Sequence, residues 1–586
     1  MSLPPPETAP FASVRAGVAL GLAFIAGALA LTWPLAARLG NALPGNLGDP
    51  LLNATILGWN VQWLTGRRDG SFWDAPIFHP HENALAYSEH LIGQTLFVWP
   101  IFALTSNALL TYNTSLLLSF MICGLGSYIW IHVLTGRRDV AIVFSLALTF
   151  SPFRMSAQLP RLQMLTIGWL PLALWAVHRY GETGRARYVW WIIASLTLLV
   201  LSNMYMLFLA ALPLTLLMAY AVSNARGRRR HVAVGFAIAL AATTALLTPV
   251  VQPYRTLDRE MGLVHEDDHA VEYSAHLTSY ASVHASSVSL PWVRIETTGD
   301  QALYPGMVLL LPLVAIATFG PRRSFTGRGH VAMLYAVVGA AALWLSFGPE
   351  IRTADGVLVT SSPYGWLREH VPGLSAVRAP GRFAAIVSLA LAALGALAAA
   401  GLTARMTANA RAALLAAAIG VIGLEAWPAA LAVEPLSPEG RPVDRELYAW
   451  LARQPAAGLL ELPASPITAQ IPGVELFHQF ATLQHPHRLV NGYSGFNPPL
   501  ANLFEDHASP FIDLARLPEG LALLHSMAVR FVVIHPHDYA TPGLATRLVT
   551  QLRTLPGVRA EHQVGAHHIF ELEPAPRRSS SLPRAQ

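Results

Sequence analysis

Long apolar runs, separated by short stretches that carry most of the arginines, decide what this chain can fold into. A bilayer core about 30 Å thick asks for roughly 20 apolar residues per helix, fewer where helices pack on one another. Candidate runs fall near residues 14–35, 108–133, 139–152, 163–180, 188–202, 203–222, 231–250, 303–319, 330–347, 380–401 and 411–432. Composition agrees: 53% of the 586 residues are hydrophobic and 12% charged, a balance outside the soluble globular range. The expected fold class is mainly α, a polytopic membrane protein with about 11 transmembrane helices.

Arginine placement sets the expected orientation. The chain has no lysine, and the clusters Arg137-Arg138, Arg185 with Arg187, Arg226 to Arg230, Arg322-Arg323 with Arg328, and Arg405 with Arg411 share one side if the runs alternate. That agreement requires Leu91 to Leu104, LIGQTLFVWPIFAL, to be an interfacial or re-entrant piece, as its short length and Pro100 suggest. The first run is too long for a signal peptide core and lacks a small-residue cleavage site, so it reads as a retained anchor. A bacterial inner (cytoplasmic) membrane protein follows, with the N-terminus cytoplasmic. Residues 1–432 form the membrane domain, with outer loops at about 36–107, 251–302 and 348–379. Residues 433–574 form a small extracytoplasmic α/β domain, in which DRELYAWLARQ reads as a helix, GLLELP and VRFVVIHP as buried strands, and VRAEHQV with HHIFELEP as a hairpin. The 575–586 tail, PRRSSSLPRAQ in its last eleven residues, reads as disordered.

Some classes fall away. The single cysteine, Cys123, lies in an apolar run and allows no disulfide framework. No basic stripe or reader motif accompanies the net charge of +5, so nucleic acid is not an expected partner.

Chemistry is expected on the outer face. The stretch GNLGDPLLNATILGWN places Asp49 directly after the first run, followed by NATILGWNVQWL, whose Trp59 and Trp63 suit an interfacial helix. FHPHENALAYSEH then supplies His79, His81, Glu89 and His90. The loop SPFRMSAQLPRLQM carries Arg154, Gln158 and Arg161, and VRAPGRF carries Arg378 and Arg382. Arginine binds phosphate bidentately and stays charged when half desolvated, while a carboxylate can take a proton from an acceptor hydroxyl. Together they suit an anionic lipid-linked substrate. Each residue also has a plainer reading: Asp49 as the cap of a helix starting at Pro50, the arginines as headgroup contacts, and the histidines as surface or hydrogen-bonding groups. The histidine spacing matches no closed zinc site. GYSGFNPP offers Tyr493 and Phe496 either for stacking on a sugar or for a packed turn.

The order of a first span, an acidic residue opening the first outer loop, many further spans and an external C-terminal domain resembles the glycosyltransferase-C superfamily. More narrowly, NLGDPLLNATILGWN, FHPHENALAYSEHLIGQ, SPFRMSAQLPRLQMLTIGWLPLAL, ALYPGMVLLLP, VRAPGRF and VNGYSGFNPP resemble a poorly characterised group of bacterial polytopic membrane proteins related to it. The resemblance implies a membrane glycosyltransferase that takes a sugar from a polyprenyl-phosphate donor and passes it to a glycan, lipid or protein acceptor on the outer face, within membrane lipid. On that reading Asp49 is the base, with Glu89 as second choice. Arg154, Arg161, Arg378 and Arg382 hold the donor phosphate, and His79, His81, His90, Gln158 and Tyr493 contact acceptor or sugar. No organic cofactor is called for and no metal ligands are assigned. Many better-known branches have two adjacent acidic residues where Asp49 is followed by Pro50, which leaves divalent metal use open. The other classes to weigh are a lipid-linked glycan transporter or export partner, and a catalytically silent scaffold for envelope assembly.

Overall fold

The computed structural model describes residues 11–574, apart from 263–266, 288–292, 297–299, 321–324, 326–327, 354–355, 372, 429–430 and 465. The Arg322-Arg323 pair, His265 and the 575–586 tail thus lie outside the described residues.

The chain is mostly helical. Among the described residues, seven helices are long and apolar enough to cross a membrane: Val14–Leu31, Ala108–Thr135, Tyr205–Asn224, Arg229–Met261, Gly329–Ser346, Pro380–Arg405 and Ala408–Ala426. Helices also cover the remaining apolar runs, but Arg138–Thr149, Trp169–Thr183, Ala186–Ser202 and Met307–Phe319 have only 12 to 17 residues. At 1.5 Å per residue each falls short of a full crossing unless its neighbours shield its ends. The Ala384–Leu402 helix lies at the centre, buried along nearly its whole length. Its alanines and glycines let the surrounding helices approach closely, as small residues do between membrane helices.

The first loop departs from expectation in one respect. The Asp49–Leu64 helix was expected to lie at the interface, yet every residue from Pro50 to Gln62 is buried. Its apolar residues cover the whole circumference, so no amphipathic face exists, and such a helix belongs inside. Its polar side chains find hydrogen-bond partners there: Asn53 donates to Gln163, Asn60 to the His90 carbonyl and Thr95, and Gln62 to the Leu483 carbonyl. The Ile92–Thr105 helix is 14 residues long with Pro100 inside, about 21 Å by its rise, and exposes Leu96, Phe97, Trp99 and Leu104.

Beyond the last helix the chain forms a five-stranded sheet in the order Val558–Val564, His567–Leu572, Val529–Ile534, Gly458–Leu462, Arg488–Leu489. The first two pairings are antiparallel and the others parallel. Side-chain alternation splits the apolar residues between the faces. Leu460, Leu462, Val532 and Ile534 join one cluster, while Leu459, Phe531 and Val533 join another with Leu447 and Leu451. This region docks on the first loop through a reciprocal pair, His79 N to the Leu489 carbonyl at 2.9 Å and Leu489 N to the Pro76 carbonyl at 3.0 Å.

A short antiparallel ladder closes the membrane domain. Ala42–Pro44, just before Asp49, pairs with Val433–Pro435, just after the last helix. Gly45 then turns the chain at φ +75°, and a Cβ there would meet Pro160 at 2.8 Å. Both facts demand glycine, and the close approach sets the Asp49 loop beside Arg161. Gly45→Ala should therefore cost more than Gly66→Ala, which pays a left-handed penalty of about 1–2 kcal/mol with nothing within 4 Å of its Cβ. Thermal unfolding of the two variants in detergent measures the difference.

Candidate functional site

Four charged side chains from separate loops form a chain. Asp49 opens its helix, Arg161 precedes the short Leu162–Leu165 helix, Asp300 ends the second long loop, and Arg382 lies in the Pro380–Phe383 turn. Arg161 Nη2 donates to Asp300 Oδ2 at 3.0 Å, and its Nε lies 3.6 Å from Asp49 Oδ2. Arg382 Nε stands 3.8 Å from Asp300 Oδ1. Exposure grades along this chain: the Asp300 side chain is 3% exposed and that of Asp49 36%. Asp300 is thus the buried anchor, and Asp49 the end that meets solvent.

Close backbone packing fixes the anchor. Gly381 donates its N–H to the Tyr273 carbonyl at 3.0 Å, and a Cβ there would meet the Asp300 carbonyl at 2.8 Å. Only glycine lets VRAPGRF lie this close, and that contact sets Arg382 beside Asp300. The Arg382 guanidinium stacks over Tyr205 at 4.6 Å, and that of Arg378 over Tyr273 at 4.5 Å. Tyr205 Oη accepts from the Arg378 N–H at 2.7 Å. Among the described residues no carboxylate lies within ion-pair distance of Arg378, which is half-buried. It is the cation of the group with charge to spare.

Asp49 does not serve as a cap. The helix begins at Asp49 itself with Gly48 at the cap position, and no side chain makes a capping bond. Its carboxylate sits in the first turn, where the helix dipole favours negative charge. The Arg161 guanidinium already fills the space between the Asp49 and Asp300 carboxylates, so the group does not present a cation seat.

Tyr493 belongs to the same neighbourhood. Burial raises its phenol pKa, the Asp49 charge adds to that, and Arg378 and Arg161 oppose it. Glu89 lies one layer behind: its Oε2 accepts from the Met204 N–H at 2.8 Å. Burial pushes its pKa up to about 7 against the pull of the Met204 and Tyr205 N–H groups and Arg382.

Other expected residues stand elsewhere. The Arg154 guanidinium is buried, donating to the Thr149 and Leu165 carbonyls at 3.1 and 3.0 Å and lying over Phe120. It satisfies the C-terminal end of the Arg138–Thr149 helix. Gln158 is buried beside it, lining a cavity of about 20 Å³ with Ser151 and Ser388, room for one water. His79 donates to the Met527 carbonyl at 2.8 Å, and burial lowers its pKa. His81 is lowered by burial too. His90 accepts from the Ile92 N–H and packs edge-on against Trp73 and Tyr254, and burial pushes it down to about 3. These three stay neutral and hold the loop together.

Asp300, Tyr205 and Tyr273 did not emerge from the sequence. A signal for Asp300 was present: TTGDQALYP repeats the Gly-Asp pair of GNLGDP at the same kind of place, a loop edge before an apolar run.

Comparison with known proteins follows this geometry. The chain covers 96% of its length on the arabinofuranosyltransferase AftD from Mycobacteria, with a TM-score of 0.61 and 14% identity, and spans 40% of that protein's length. A variant of the same enzyme aligns with a TM-score of 0.54 at 14% identity, over 96% of this chain and 42% of that one. ArnT from Cupriavidus metallidurans aligns at a TM-score of 0.46 and 14% identity, over 95% and 98% of the two chains. No curated protein sequence matches. The likeness is one of fold: this chain, a membrane protein, is built like the aligned part of AftD. The profile of the domain of unknown function DUF6311 matches residues 79–422, and the chain belongs to that family.

Two outcomes test this geometry. Asp300→Ala removes the buried carboxylate that Arg161 and Arg382 share and should cost about 3–5 kcal/mol, whereas Asp49→Asn, at the exposed end of one long contact, should cost under about 1 kcal/mol. Melting in detergent separates them. For Glu89, a raised native pKa means that the folded state holds its proton longer than the unfolded one, so its contribution to stability falls as pH rises from about 4.5 to about 7. Glu89→Gln should flatten that part of the melting profile.

Proposed function

We propose that the chain is a membrane glycosyltransferase that transfers a sugar from a polyprenyl-phosphate donor to an acceptor hydroxyl on the outer face. The observation that carries this reading is a solvent-facing carboxylate not used for capping, Asp49, in reach of Arg161 and near the unpaired Arg378. The likeness to an arabinofuranosyltransferase supports sugar transfer.

Asp49 takes the acceptor proton as its oxygen attacks the anomeric carbon, the bond from that carbon to the phosphate oxygen breaks, and polyprenyl phosphate departs. Arg378 and Arg161 meet the charge on the leaving phosphate, where preorganised cations lower the barrier. A single displacement of this kind inverts the sugar centre. Asp300 and Arg382 hold the arginines in place, and Tyr493 offers an aromatic face to the sugar. Arg154, its guanidinium used on two carbonyls, takes no part. About eleven crossings, with the N-terminus cytoplasmic and the C-terminal sheet outside, put this surface in an extracytoplasmic space.

Envelope-glycan mass spectrometry of a deletion strain tests the reading, after complementation at matched membrane levels. Wild type should restore a sugar-sized mass increment, and Asp49→Asn should reduce it by about 10²-fold or more. Arg378→Ala should weaken it mainly through donor affinity, seen as a raised KM in purified membranes. Equal restoration by Asp49→Asn would favour a scaffold or export role.

A further inference from the structure

A second polar cluster lies away from this site, in the C-terminal sheet. Asp444 precedes the Arg445–Leu451 helix; His535 and His537 follow Val529–Ile534, the central strand of the sheet. Ligand atoms of these three residues lie within 4.8 Å of one another. Asp444 Oδ1 is 3.6 Å from His535 Nδ1 and 3.8 Å from His537 Nε2. Both spacings exceed a hydrogen bond and approach the edge, about 3.4 Å, of a tetrahedron with bonds of 2.0–2.1 Å. All three atoms are buried without a hydrogen-bond partner, and the Asp444 and His535 side chains are 1% and 0% exposed. Buried polar atoms are rarely left unpaired, and several aimed at one point call for a ligand.

The surroundings complete the arrangement. His535 Nε2 lies 2.8 Å from Glu461 Oε2, and a proton kept on that nitrogen would leave Nδ1, which faces Asp444, as the ligand atom. A carboxylate on the far nitrogen is the usual way a metal-binding imidazole is oriented. Tyr448 donates to the same Glu461 oxygen at 3.0 Å, and Arg441 Nε holds the other Asp444 oxygen at 2.6 Å. Arg441 also pairs with both Asp538 oxygens, so Asp538 is taken. His567 Nε2, 3.4 Å from Asp444 Oδ1, is taken by the Val443 carbonyl. An alternative triad, Glu461, His478 and His535, meets the same distance limit. There, however, His535 and Glu461 stand at hydrogen-bond distance, too close for two ligands on one ion.

We infer that Asp444, His535 and His537 bind a divalent transition metal, best matched by zinc, with a fourth position open to water beside the part-exposed His537. The two-nitrogen, one-oxygen donor set fits zinc and disfavours the oxygen-seeking magnesium and calcium. The ion ties the end of the central strand to the 436–444 segment by which the chain leaves its last membrane helix. The ion lies outside the Asp49 group.

Metal analysis of the untagged full chain in detergent, dialysed against zinc chloride and then metal-free buffer, tests the site. About one zinc per chain is expected in wild type and in His478→Ala, with loss of at least tenfold in affinity in His537→Ala, whose part-exposed side chain is not needed for folding. Asp49→Asn should keep its zinc. Chelator should lower the melting temperature of wild type and leave that of His537→Ala unchanged. Folded wild type without stoichiometric zinc overturns the proposal and leaves a protonated His535 bridging Glu461 and Asp444. Zinc retained in His537→Ala but lost in His478→Ala overturns it in favour of the other triad.

Discussion

A carboxylate buried between two guanidinium groups holds the loops around Asp49 in one arrangement. In this enclosed place Arg161 donates to one Asp300 oxygen and Arg382 stands by the other. Removing a charge from water costs several kcal/mol, and the cost is offset only if partners arrive in good geometry. Three loops distant in sequence must therefore meet at one point. Asp49 inherits its position from that requirement, since it reaches Arg161 from the exposed side.

The enclosed Asp49–Leu64 helix and the C-terminal sheet serve the same end. With one side on the Ala108–Thr135 helix and another against the 474–485 segment, the helix that starts at Asp49 cannot tilt without breaking the Asn53, Asn60 and Gln62 bonds. Arg68 adds to this, donating to the Thr482 and His485 carbonyls. The histidines of the first loop belong to this rigid support. His79 and His90 each use one ring nitrogen on a backbone group, the Met527 carbonyl and the Ile92 N–H.

The sequence reveals most where a pattern is local. Apolar length marks the helices, and the runs GLLEL and VRFVVI become strands because their branched and leucine side chains fill both faces of a covered sheet. Asp49, Arg161 and Arg378 are legible as charges at a membrane edge, and Tyr493 as an aromatic beside glycine turns. What is not legible is which distant charges meet. Arg154 and Arg161 look alike in SPFRMSAQLPRLQM, yet a turn of π-helix at Phe153–Ala157 sends Arg154 inward to two carbonyls. Asp300 is hidden for the same reason, its partners being 139 residues upstream in Arg161 and, nearer, Arg382. The interfacial reading of NATILGWNVQWL fails because periodicity cannot tell a lipid surface from a protein one.

The ladder between Ala42–Pro44 and Val433–Pro435 has a bearing on how the protein is made. One of its strands is made well before the other, which follows the Ala408–Ala426 helix. The loop carrying Asp49 therefore waits, unpaired, through synthesis of nearly four hundred residues. Its final shape arrives only when the whole helical set is in place. A chain halted or misinserted before its last helix would hold every side chain of the Asp49, Arg161, Asp300 and Arg382 group, and still lack the strand that holds Asp49 in position.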